Sequence, residues 1–128
     1  MSNAHALIID DNAQNLEVLG RLLTANGVTH TDLQDTAGLE QFLAAQPHLD
    51  AVFLDIEMPR RNGYEVLGLL RQHYGSDLRI VACTVHTNEI ATARDIGFDG
   101  FLAKPLDPSV FAGQLAQILD GTPVWDAS

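Results

Sequence analysis

The segment AVFLDIEMPRRNGYEVLGLL, residues 51–70, decides the fold of this chain. It opens with four apolar residues, Ala51 to Leu54, and Asp55 closes the run. A run that short and that uniformly apolar fits a strand buried on both faces, as in a parallel sheet covered by helices. Past Pro59 and Gly63, the apolar residues Val66, Leu67, Leu70 and Tyr74 recur at helical spacing. A strand, an acidic junction and an amphipathic helix thus follow one another.

The same unit repeats in both directions. Upstream, HALII (5–9) precedes a helical face of Leu16, Leu19 and Leu23, joined by Val18 and Leu22. VTHTDL (28–33) precedes Leu39, Phe42 and Leu43, a helix that Pro47 stops. Downstream, RIVACT (79–84) leads to Ile90, Ala93 and Ile96, and Gly97 marks that helix end. FLAK (101–104) leads to a helix that Asp107 caps and Pro108 opens, burying Phe111, Leu115, Ile118 and Leu119. Five strands, each followed by a helix, predict an α/β fold: a doubly wound, five-stranded parallel sheet. The 128 residues are read as one domain, 1–128; Trp125 of the tail GTPVWDAS reads either as an exposed contact or, the favoured reading, as folding back on the domain.

Composition narrows the function. The apolar fraction of 46% suits a chain that builds its own core. A net charge of −10 without a basic cluster argues against nucleic-acid binding. No apolar run nears the ~20 residues that cross a bilayer, and MSNAHALIID lacks the pattern of a signal peptide. The expected location is cytoplasmic, with no membrane contact. Cys83, the lone cysteine, lies inside an apolar run and reads as a buried structural thiol.

In open sheets of this class, ligands bind beyond the carboxyl ends of the strands. The residues at those junctions are Asp10-Asp11, Asp55, Thr84 and Lys104-Pro105. Carboxylates gathered there repel one another unless a cation intervenes, and oxygen donors with room for waters suit Mg²⁺. Lys104 adds a positive charge and Thr84 a hydroxyl, completing a cradle for a small anion such as a phosphoryl group. Singly, each has a plain reading as a cap, turn residue, strand hydroxyl or surface charge. Their joint placement is far more specific.

These segments resemble the receiver domains of bacterial response regulators. IIDDN matches the acidic pair, FLDIEMPRRNGYEVL the phosphoacceptor segment, ACTVH the switch threonine and GFDGFLAKPLD the lysine–proline pair. The resemblance spans about residues 5 to 120, in the family's order. It implies that Asp55 takes a phosphoryl group from a histidine kinase or histidine phosphotransfer protein. Asp11 and Asp55 would ligate Mg²⁺ directly, Asp10 mainly through water, and Glu57 through its backbone carbonyl. Lys104 and Thr84 would hold the phosphoryl oxygens, and Phe101 sits at the family's aromatic switch position, where a plain core phenylalanine is the equal alternative. The Lys104–Pro105 bond is often cis in the family. A downstream protein would dock on the fourth helix, fifth strand and fifth helix, and the expected strand order is flavodoxin-like, 2-1-3-4-5. Val85 stands where the family usually has Ala or Gly, and Glu57 and His86 occupy positions that tune phosphoryl lifetime.

Two rivals share parts of this pattern. A haloacid-dehalogenase-like phosphohydrolase also uses an Asp nucleophile, a Ser/Thr, a Lys and an acidic pair around Mg²⁺. Its nucleophile follows the first strand and its acidic pair comes late, the reverse of the order here. A flavodoxin-like electron carrier needs a hydroxyl-rich phosphate loop where this chain is acidic.

Overall fold

The computed structural model describes residues 4–127; residues 1–3 and 128 lie outside the described part. The elements are β1 (His5–Ile9), α1 (Ala13–Ala25), β2 (Thr29–Leu33), α2 (Leu39–Ala44), β3 (Ala51–Leu54), α3 (Gly63–Tyr74), β4 (Arg79–Thr84), α4 (Ile90–Ile96), β5 (Gly100–Ala103), α5 (Pro108–Leu119) and β6 (Val124–Asp126). Single 3₁₀ turns precede α2 and α4, at Thr36–Gly38 and Thr87–Glu89. All strand pairings are parallel, in the order β2-β1-β3-β4-β5-β6. The expected order 2-1-3-4-5 is present, and a sixth strand extends it. Trp125 does fold back, as part of β6.

Period-two alternation along the strands builds two cores. Leu7, Ile9, Val52, Leu54, Ile80, Ala82 and Phe101 face one side, under Leu39, Leu43, Val66, Leu67, Leu70 and Ala93 from α2, α3 and α4. Ala6, Ile8, Ala51, Phe53, Val81, Cys83 and Leu102 face the other, under Leu16, Leu19, Leu23, Phe111, Leu115 and Ile118 from α1 and α5. Because both faces are covered, the central strands carry no polar face. Three helical residues expected in the core lie outside it: Val18 is 49% exposed, Ile96 52% and Leu119 37%. Each sits just beside the buried stripe of its helix.

The helix starts explain how the junctions are held. Asn12 accepts hydrogen bonds from the Gln14 and Asn15 amides and caps α1. Asn62 and Glu65 form a capping box at α3. Asp107 caps α5 ahead of Pro108, as the sequence predicts. Gly63 is required: a Cβ there would stand 2.8 Å from the Asp55 carbonyl oxygen and the Ile56 Cα. Only glycine lets α3 close onto the backbone beside Asp55.

Candidate functional site

The parallel ladder continues one residue past the strands and sets the site. The Asp10 amide donates to the Leu33 carbonyl at 3.1 Å, Asp55 to Ile9 at 3.0 Å and Lys104 to Thr84 at 2.9 Å. Residues distant in sequence are thereby fixed side by side at one sheet edge. One carboxylate oxygen from each of Asp10, Asp11 and Asp55 lies within 4.8 Å of the others. Asp10 is buried and Asp55 nearly so, at 5% and 9% exposed, whereas Asp11 is exposed. Three hard oxygen donors at this spacing suit a hard divalent cation with open positions, and Mg²⁺ fits that donor set.

Lys104 is the counter-charge. Its Nζ donates to Asp10 Oδ2 at 2.5 Å and to Asp55 Oδ2 at 3.1 Å, with only 8% of the side chain exposed. Burial alone would push the ammonium down; the Asp10 hydrogen bond and the charges of Asp55 and Asp10 outweigh it, so it stays above its ordinary value. The remaining oxygens are tied to the backbone. Asp10 Oδ1 accepts from the Asn12 amide at 2.9 Å, and Asp55 Oδ1 accepts from the Glu57 amide at 3.3 Å. The Lys104–Pro105 bond is cis.

The other expected residues fall into two groups. Thr84 is fully buried at the end of β4, its Oγ1 accepting from the His86 amide at 3.1 Å. Glu57, Val85 and His86 are exposed at the rim. Phe101 is fully buried in the α4-side core and does not face the carboxylates' solvent side. Cys83 is a buried thiol, pushed up to about 12 by its burial, as expected of a structural residue.

Two features escaped the sequence reading. The direct Lys104–Asp10 pair joins residues 94 positions apart, and nothing local announces it. The Tyr64 hydroxyl donates to Glu89 Oε1 at 2.5 Å, tying the start of α3 to the turn before α4. Burial, then that carboxylate, pushes the Tyr64 phenol well above its ordinary value.

A family model for the response regulator receiver domain matches residues 6–116. The chain belongs to that family. This receiver is 37% identical over 112 residues to stress response regulator protein 1 of Meyerozyma guilliermondii, an alignment covering 84% of the chain and 51% of the relative. It is 39% identical over 102 residues to response regulator MprA of Mycobacterium sp. (strain KMS), covering 77% and 43%. The chain thus spans about half the length, or less, of these relatives. A CheY-like receiver domain protein from Methanospirillum hungatei JF-1 shares its fold with a TM-score of 0.80 at 20% identity, over 93% of this chain and 95% of that one. Receivers are the phosphoacceptor parts of two-component signalling, and nothing among these relatives supports the phosphohydrolase reading. Among the described residues, no helix is long and apolar enough to cross a membrane.

Proposed function

We propose that Asp55 accepts a phosphoryl group from a phosphohistidine, on a histidine kinase or a histidine phosphotransfer protein, in the cytoplasm. The observation that carries this reading is Lys104, held between Asp10 and Asp55 beside a cluster of three carboxylates. An Asp55 carboxylate oxygen forms a bond to phosphorus as the phosphorus–nitrogen bond breaks, and the electron pair leaves on the imidazole. Asp55 Oδ1 accepts from the Glu57 amide at 3.3 Å and Oδ2 from Lys104 at 3.1 Å. Asp11 and Asp55, with the Glu57 carbonyl, would hold Mg²⁺. Asp10, already engaged by Lys104 and the Asn12 amide, would reach it mainly through water. The bound ion would neutralise phosphoryl charge.

Lys104 already touches Asp55, so it can follow the incoming charge with little movement. Thr84 accepts from the His86 amide and so keeps its hydroxyl proton free to donate to a phosphoryl oxygen. That bond would be charge-assisted and correspondingly strong. The Tyr64–Glu89 bond would pass the change at residues 84–86 towards α4. A downstream protein would then read the face formed by α4, β5 and α5. Mass spectrometry after acetyl phosphate and Mg²⁺ treatment tests the assignment: wild type gains one phosphoryl group and Asp55→Asn does not. Equal labelling of the two overturns it.

A further inference from the structure

β6 lies across the face on which a downstream protein would dock. It pairs in parallel with β5 in the register Gly100↔Val124, Phe101↔Trp125 and Leu102↔Asp126. Its side chains alternate as a strand's must. Val124 is buried in the α5-side core, and Trp125 packs against the α4-side core. Arg94 of α4 stands over the Trp125 ring, 4.6 Å from its centroid. Gln114 of α5 donates to Asp126 Oδ2 at 2.8 Å. One three-residue strand therefore touches α4, β5 and α5 together.

Sequence features adapt the chain to this placement. A Cβ on Gly100 would come within 3.0 Å of the Val124 carbonyl oxygen, so glycine lets the strand approach. Gly121, at φ +89°, turns the chain from α5 to β6, where a Cβ would meet Arg79 at 2.7 Å. With β6 lifted away, the surface would offer the β5 backbone edge, a site for an apolar residue towards α5, a cation-topped site for an aromatic residue and an amide for an acid.

We propose that the β5 edge between α4 and α5 is a strand-addition surface, occupied in this structure by the chain's own β6. The partners it fits are extended segments of apolar–aromatic–acidic pattern that pair in parallel with β5 and displace Val124–Asp126. Main-chain pairing supplies affinity in such docking, and alternate side chains supply specificity. The tail is tethered by only Gly121, Thr122 and Pro123, giving it an effective concentration on the order of millimolar, which free segments must overcome. This deepens the proposed function only in its docking face: strand exchange needs no phosphodonor, so its failure leaves phosphorylation of Asp55 untouched.

The test uses a fluorescein-labelled peptide of residues 121–127, GTPVWDA, read by anisotropy. The full chain carrying Val124→Asp and Trp125→Ser has a vacated edge and should bind the peptide at least tenfold more tightly than wild type. A peptide with Trp replaced by Ala should lose that binding. A variant that folds by circular dichroism yet binds no peptide, or binds no better than wild type, overturns the proposal. Trp125 is the only tryptophan, so its fluorescence gives a second reading that leaves the tail intact. Arg94→Ala and Gln114→Ala should each increase acrylamide quenching of Trp125, and unchanged quenching in both overturns the clamp.

Discussion

Replacing Lys104 by methionine keeps the apolar stem and removes the charge. The wild-type ammonium lies 2.5 Å from Asp10 and 3.1 Å from Asp55. At an effective dielectric of ~20, each contact is worth about 5–7 kcal/mol of gross Coulomb attraction. Desolvating three nearly buried charges costs several kcal/mol per group and cancels most of that gain. The variant keeps the desolvation cost of the two carboxylates and loses the attraction, so a loss of about 3–5 kcal/mol is expected when divalent ions are chelated. For a chain of this size, that corresponds to a melting point lower by roughly 11–19 °C. The assay is urea and thermal unfolding in EDTA and in Mg²⁺. Magnesium should stabilise the variant more than wild type, because no ammonium then competes for the carboxylates. If Lys104→Met unfolds within 0.5 kcal/mol of wild type in EDTA, and Mg²⁺ raises both equally, then Lys104 is not the counter-charge that holds the site together.

Two further outcomes are expected. Mg²⁺ should raise the melting temperature of wild type through native-state binding and raise Asp11→Ala much less; an equal rise would remove Asp11 as a principal ligand. Val85 is 61% exposed, so Val85→Ala should leave stability nearly unchanged. If the valine narrows access to Asp55, that variant should accelerate both acetyl phosphate labelling and phosphoryl loss, about tenfold for ~1.4 kcal/mol of barrier, at saturating Mg²⁺. Val85→Thr should act like wild type, and unchanged rates in Val85→Ala would exclude a gate at this position.

The parts legible in the sequence are those where a local pattern has one structural meaning. AVFL and IVAC have no polar face, so a sheet covered on both sides was the available solution, and the strand ends followed. That placed Asp10, Asp11, Asp55, Thr84 and Lys104 along one edge, where they lie. Helical periodicity was less decisive, because it marks a broad stripe and not its borders. Val18, Ile96 and Leu119 each border a buried residue in sequence or on the helix face, and packing alone decides their exposure. β6 was illegible as a strand: three residues after a proline carry no alternation to count. Only the docking of Trp125 between Arg94 and β5 makes it one. The Lys104–Asp10 pair was hidden for a related reason, since an ion pair over 94 positions leaves no mark in either segment.

The buried state of Phe101 bears on how a receiver of this sequence can switch. Swinging the ring out alone would vacate its place in the α4-side core, and emptying a phenylalanine site costs about 3–5 kcal/mol. A charge-assisted hydrogen bond at the site is worth about 1.5–3 kcal/mol, so one bond from Thr84 does not drive such a swing. A phosphoryl group shifts an equilibrium only by the difference in its interactions with the two states. Movements that keep the core filled therefore have the advantage. Phe101 pairs in register with Trp125, and Arg94 of α4 covers Trp125, so α4 and β6 are the elements able to move with the ring. Displacing them together keeps Phe101 packed while changing the face that a partner meets. If Phe101 takes part in switching, its burial means that it would act through these neighbours.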